Sequence, residues 1–296
     1  MQRHQPAILF FMHFPQDLDL LQPLIEKTQQ QVGIDTKVVV LDTLLEESPR
    51  VVQRLSAIGV QPSGVSRPSV LGGLQPRLGQ VKAIITASES TAAPHKLPHV
   101  LAQRANRLGI QTYTLQHGFE NVGLNYFDAR FSPSATFFAS QHIFTWGTVD
   151  MLPPEVLPET RAKCIAVGCP KHIKLPEPMV QVPNRGESLV TIFENLHWDR
   201  YSDDFRRQFL VHLEKTALQF PNTSFLVKPH HAGLWLTKRY KGKLPDCENI
   251  VIADPRNPEW EPFTAPALIA ISDAVITTPS TVALDAARAA CPVAVA

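Results

Sequence analysis

The stretch Asp273-Ala-Val-Ile-Thr277-Thr-Pro-Ser280-Thr281-Val-Ala-Leu-Asp285-Ala packs a complete β–α unit into fourteen residues. A short β-branched run reads as a buried strand, a Pro-containing hydroxyl turn ends it, and small apolar residues continue as a helix from Ser280-Thr281. Ser and Thr at a helix start accept the first free N–H groups. Downstream, Pro292-Val-Ala-Val-Ala296 begins another strand. Upstream, the same unit repeats: strand Ser188–Phe193, helix Asp203–Gln219, strand Ser224–Lys228, strand Asn249–Ala253 and helix Ala265–Ile271. The pattern stops inside a strand, so a further helix is expected beyond Ala296.

The first half reads alike. Its strands are Ala7–Phe14, Lys37–Leu41, Val81–Ala87, Ile110–Gln116, His142–Trp146 and Cys164–Val167. Helices are expected over Leu18–Val32, Ser48–Ile58 and Leu97–Leu108, and the Pro-, Ser- and Gly-rich segment 61–79 reads as a long loop. The halves meet at Pro176, Pro178 and Pro183, and prolines block regular structure. Buried β-branched strands alternating with helices give an α/β chain with parallel sheets covered on both faces. The expected organisation is two doubly wound, Rossmann-like domains facing each other across a cleft: 1–173, a linker over 174–186, and 187–296.

With 296 residues, 28 Lys and Arg against 27 Asp and Glu, and 44% hydrophobic residues, the chain is globular and electrically balanced. No overall basic footprint points to nucleic acid. Cys164, Cys169, Cys247 and Cys291 lack zinc-type spacing and a disulfide framework, which fits a reducing compartment. No apolar run reaches the roughly 20 residues of a membrane span. A cytoplasmic protein is expected. The basic turn Lys238–Lys243 suits a solvated loop or a peripheral contact with anionic headgroups at the inner face of the plasma membrane.

Ligands of open parallel sheets gather beyond the carboxyl ends of the strands, and four groups stand there. The helix start at Ser280-Thr281 offers free N–H groups and a positive dipole end to phosphate, or simply a capped helix. Lys228-Pro229-His230-His231 brings a cation and two imidazoles into one turn, either for phosphate and ribose or as a solvated loop. His117, followed by Gly118, is a candidate proton acceptor at the end of its strand, although a lone strand-end histidine is more often structural. Glu89, in Ala87-Ser-Glu-Ser90, is a second candidate base or a helix-start residue.

Taken together, these residues resemble the GT-B glycosyltransferases of bacterial surface-polysaccharide synthesis, and within them the CDP-glycerol glycerophosphotransferase and capsule-polysaccharide transferase group. The matching motifs are Gln116-His117-Gly118, Gly168-Cys169-Pro170-Lys171, Lys228-Pro229-His230-His231, and Asp273 through Thr277, Ser280 and Thr281 to Asp285-Ala286. His231 stands where the family has a second proline, and His172-Ile173 follow where it has an aspartate. The resemblance implies a nucleotide-activated sugar or polyol donor held by Lys228, His230, Ser280 and Thr281, with Gly118 and Asp285 in support. It implies a glycan or lipid-linked glycan acceptor, with His117 as its base. Helix dipole and hydroxyls would carry the leaving-group charge without a metal or other cofactor. Two other functions remain open: a nucleotide-sugar epimerase drawing on Glu89, Glu120 and Glu194, and a non-catalytic nucleotide- or glycan-binding scaffold.

Overall fold

The computed structural model describes residues 5–128, 131–172, 180–183, 186–198, 200–230 and 234–296. The chain divides into two compact units, Met1–His172 and Ile173–Ala296. Of the linker expected over 174–186, only 180–183 and 186 are among the described residues.

In the first unit, β1 (Ala7–Met12), β2 (Asp35–Leu41), β3 (Ser63–Val65), β4 (Val81–Thr86), β5 (Gln111–Leu115), β6 (His142–Thr145) and β7 (Cys164–Ala166) form one parallel sheet in the order β3-β2-β1-β4-β5-β6-β7. Leu9, Phe10, Phe11 and Met12 are all fully buried, because β1 is central and helices cover both faces. Burying each such side chain contributes about 1.5–3 kcal/mol. The helices are α1 (Asp17–Gln29), α2 (Asp42–Glu47), α3 (Pro49–Ala57), α4 (Arg67–Leu71), α5 (Lys96–Arg107) and α6 (Pro158–Arg161).

The expected loop at 61–79 is in part regular. Ser63, Gly64 and Val65 pair with Val39, Val40 and Leu41 as edge strand β3. Ser66 then caps α4 by accepting the Ser69 N–H at 3.4 Å, and Pro68 sits in its first turn, where no N–H is needed. A Cβ added at Gly64 would lie 2.3 Å from Asp42 Oδ1, so that carboxylate would have to swing aside. Local propensity gave way to an available sheet edge.

In the second unit, β8 (Ser188–Glu194), β9 (Thr223–Pro229), β10 (Ile250–Ile252), β11 (Ala274–Thr277) and β12 (Val293–Val295) form a parallel sheet in the order β10-β9-β8-β11-β12. Helix α7 (Asp203–Gln219) covers one face over Ile192, Phe225 and Val227. Helices α8 (Ala265–Ile271) and α9 (Thr281–Arg288) lie on the other face, with Leu189, Phe193, Leu226 and Val275. Ser202 starts α7 by accepting the Phe205 N–H at 3.1 Å. The edge strands β3, β7 and β10 have three residues each, against six or seven in the central β1, β2, β8 and β9.

Candidate functional site

Both sheets reverse their strand order once, between β1 and β4 in the first unit and between β8 and β11 in the second. Crossovers leave such a switch point to opposite faces, which opens a crevice at the carboxyl ends. Polar residues crowd both places.

In the first unit β1 delivers His13, the segment after β4 delivers Ser88, Glu89 and His95, and β5 delivers His117. Asp17, at the start of α1 and fully buried, accepts the backbone N–H groups of His13 and Phe14 at 2.8 and 2.9 Å. The same carboxylate oxygen lies 2.9 Å from His13 Nδ1. The His13 and His95 rings are 6.1 Å apart, and those of His95 and His117 5.1 Å. Among the described residues, His13 Nε2, His95 Nδ1, His117 Nδ1 and Ser88 Oγ have no hydrogen-bond partner although they are buried. Unsatisfied polar atoms of this kind are costly and call for a ligand or water. His13, Asp17 and His95 were not among the candidates read from sequence. The strand-end rule that picks out His117 also picks out His13, and an aspartate four residues later was the available sign of its partner.

Burial pushes the His117 imidazole down to about 4. The Asp17 carboxylate and the Asn121 side chain oppose this, while His13 and Lys171 add to it. Burial, then His117 and His13, holds His95 well below the ordinary value. His117 is therefore neutral at neutral pH, with a nitrogen free to accept a proton. Its folded value lies below the unfolded 6.5, so on acidification the unfolded chain binds the proton first. Stability is complete above about pH 6.5 and is lost as the pH falls toward 4. The unfolding free energy from urea titrations across that window should fall by on the order of 2 kcal/mol in the wild type, and less in His117→Gln.

Glu89 is placed differently from a free base. Its carboxylate accepts the N–H groups of Ala139 and Ser140 at 2.9 and 3.0 Å and binds His99 Nδ1, and the side chain is buried. These contacts tie the segment before β6 to the end of β4. Gly118 is also buried, and its carbonyl accepts the Gln116 Nε2–H at 2.9 Å. The left-handed residue of this loop is Gly123 (φ 86°), where an added Cβ would lie 2.5 Å from Thr136.

In the second unit the ladder aligns Lys228, Phe193 and Thr277 across β9, β8 and β11. The residues that follow emerge together at the carboxyl edge. His230 follows Lys228, with its N–H on the Glu194 carbonyl at 2.9 Å and its ring 4.7 Å from that of His197. Ser280 caps α9 by accepting the Val282 N–H at 3.2 Å. Thr281 opens that helix, and Asp285 is buried one turn later. Lys228 Nζ donates to the Trp260 carbonyl at 3.2 Å, and burial lowers its ammonium to about 8, opposed by Glu261. His231 lies outside the described residues.

Three further residues here were not among the sequence candidates, and a fourth, Glu194, was named there only for the epimerase reading. Thr278 is fully buried with Oγ1 unpartnered among the described residues, and Asn195 Oδ1 is likewise buried and unpartnered. His197 stacks on His230. Glu194 is raised by burial to about 7, against the Leu196 N–H and Arg206, which lower it. All four sit at the ends of β8 and β11, but only the sheet order identifies those ends as the switch point.

No protein-family model matches the chain, and no curated protein matches it in sequence. Solved structures are similar in fold. UDP-GlcNAc 2-epimerase of Neisseria meningitidis bound to UDP-GlcNAc has a TM-score of 0.66 at 14% identity, over 98% of this chain and 82% of that one. The UDP-GlcNAc 2-epimerase of Methanocaldococcus jannaschii, in complex with UDP-GlcNAc and UDP, gives 0.61 at 13%, over 97% and 83%. The wall teichoic acid polymerase TagF gives 0.55 at 12%, over 97% and 69%. At these identities the likeness is one of fold, and it does not single out the CDP-glycerol transferase group. Two parallel Rossmann-like sheets in one chain, matched nearly end to end by such structures, give this protein a GT-B-type α/β fold.

Proposed function

We propose that the chain is a transferase that moves a sugar or polyol phosphate from a nucleotide-activated donor to a hydroxyl of a glycan acceptor. The supporting observation is the pair of switch points where buried polar atoms have no hydrogen-bond partner among the described residues: atoms of His13, Ser88, His95 and His117 in one unit, of Asn195 and Thr278 in the other. In this reading 174–186 links an acceptor unit to a donor unit. The donor's phosphates lie at the start of α9, where the Thr278 hydroxyl and the positive end of the helix dipole receive the charge that develops on the leaving group. His230 and His197 flank the phosphates, and Lys228 contributes positive potential. In the other unit His117 takes the proton of the acceptor oxygen as that oxygen attacks the donor. Glu89 acts as a clamp rather than a base.

Ser280→Ala with Thr281→Ala should weaken nucleotide binding by at least about tenfold, roughly the worth of one hydrogen bond to a charged group, and leave the fold intact. Thermal-shift titration with CMP-, CDP-, UDP- and GDP-linked donors reads this out. Unchanged affinity in the double variant removes α9 from the donor site.

Glu194 favours a second reading. A buried carboxyl with a value near 7, on the residue whose backbone carbonyl accepts the His230 N–H, suits acid–base exchange at a sugar carbon, as an epimerase requires. Turnover of a nucleotide sugar with no acceptor present decides for that reading, and donor consumption only with acceptor decides for transfer.

A further inference from the structure

The 72 residues from Ser48 to Phe119 contain eight Lys and Arg and a single acid, Glu89, in a chain whose net charge is +1. Glu89 is buried, so no carboxylate side chain of this segment faces solvent. The cations are not spread evenly. Arg67 on α4, Arg77, Lys82 at the start of β4 and Arg107 on α5 are exposed and form no ion pair among the described residues.

Apolar side chains stand among them. Leu74 is 74% exposed, Leu108 60% and Leu71 44%. The chain holds these groups together. Helix α4 packs on α5, and Arg104 on α5 donates to the carbonyls of Gln75 and Pro76 at 3.2 and 3.1 Å. That fixes the Leu74 loop against the helix that ends at Leu108. Between them lies a depression of about 430 Å³, lined by Lys82, Arg104, Leu78 and Leu108. Leu74, Arg77, Lys82, Arg104, Arg107 and Leu108 sit toward the amino ends of β4 and β5, the pole of the sheet opposite the histidines, whereas Arg67 follows the carboxyl end of β3.

We propose that this pole of the first unit docks on an anionic phospholipid bilayer, with Leu74 and Leu108 entering the headgroup layer and a lipid phosphate seated between Lys82 and Arg104. The charge complementarity is one argument: unpaired exposed cations carry a desolvation cost at a neutral protein partner and gain at a negative bilayer surface. The exposed leucines are the other, since a polyanion such as RNA would ask for aromatic rings to stack its bases, and none is among the exposed apolar residues of this patch. No helix among the described residues is long and apolar enough to cross a membrane, so the contact is peripheral. The basic turn at Lys238–Lys243 is less suited. Lys241 Nζ folds back onto the Lys238 carbonyl at 3.3 Å, and Lys243 pairs with Asp246 at 3.8 Å. The docking proposal stands independently of the transfer reading.

Flotation of the full chain with phosphatidylcholine vesicles, with and without phosphatidylglycerol, tests it. The wild type should float with phosphatidylglycerol and remain in solution with phosphatidylcholine alone. Each charge removed should weaken binding about fivefold, so Arg77→Ala with Lys82→Ala and Arg107→Ala should nearly abolish it. Leu74→Ser with Leu108→Ser should also lose it, with cations unchanged. Lys238→Ala with Lys241→Ala should retain it. All the residues changed are on the surface, and thermal melting confirms that each variant folds. Absence of flotation by the wild type, or binding that survives in the leucine variant, overturns the proposal, as does preferential capture by single-stranded RNA. Nucleotide binding measured on the same variants should be unchanged, so failure here is distinguishable from failure of the donor site.

Discussion

Replacing His117 by alanine should lower kcat by about 10²- to 10⁴-fold while leaving donor affinity within about twofold of wild type, the loss expected for a positioned general base. The residue stands at the end of β5, its ring nitrogen Nδ1 is without a partner among the described residues, and burial keeps it unprotonated down to about pH 4. The acid limb of kcat/KM should accordingly lie near 4, well below the 6.5 of an ordinary imidazole. Low basicity is the cost of this arrangement. The Asp17 carboxylate, which acts to raise the His117 value, offsets it by favouring the imidazolium once it forms. Normal turnover in the variant would move the base elsewhere, and His13, with its Nδ1 on Asp17, becomes the first alternative. Loss of donor binding would instead make His117 part of the donor site.

The second large effect is on stability. Glu89→Ala leaves the N–H groups of Ala139 and Ser140 and the His99 ring without their buried acceptor, and the cavity cannot readily admit water to all three. Breaking such a set costs about 3–5 kcal/mol, a large share of the 5–15 kcal/mol typical of a domain. Melting should drop by about 10 °C. Glu89→Gln keeps the volume and an acceptor oxygen and should recover part of the loss. A variant that melts like the wild type yet has no activity would restore Glu89 as a catalytic candidate.

The α/β class was legible because β1 and β8 are nearly continuous apolar runs of strand length, a pattern that suits strands buried on both faces. The segment carrying β3 and α4 was not, since Pro, Gly and Ser there satisfy turn chemistry and an edge-strand pairing equally well. Strand-end placement singled out His117, Lys228, His230, Ser280 and Thr281 from local sequence. His95 could not be found that way. It lies beyond β4, with 21 positions separating it from His117, and the two rings meet only because β4 and β5 are neighbours in the sheet. Thr278 was hidden for another reason: a threonine in a turn says nothing until its hydroxyl is seen buried and without a partner among the described residues.

The short margins of these sheets bear on how the chain fares while it folds. Parallel sheets assemble slowly, because each strand waits for a crossover to close, and a half-formed sheet presents a row of unpaired backbone groups. With only three residues in β3, β7 and β10, the finished margins offer an incoming strand too little length to template on. The long apolar strands β1 and β8 are the hazardous ones, and each lies inside its sheet with neighbours on both sides. Aggregation is thus a danger of synthesis and refolding rather than of the native protein, and it should respond to chaperones and dilution more than to surface substitutions.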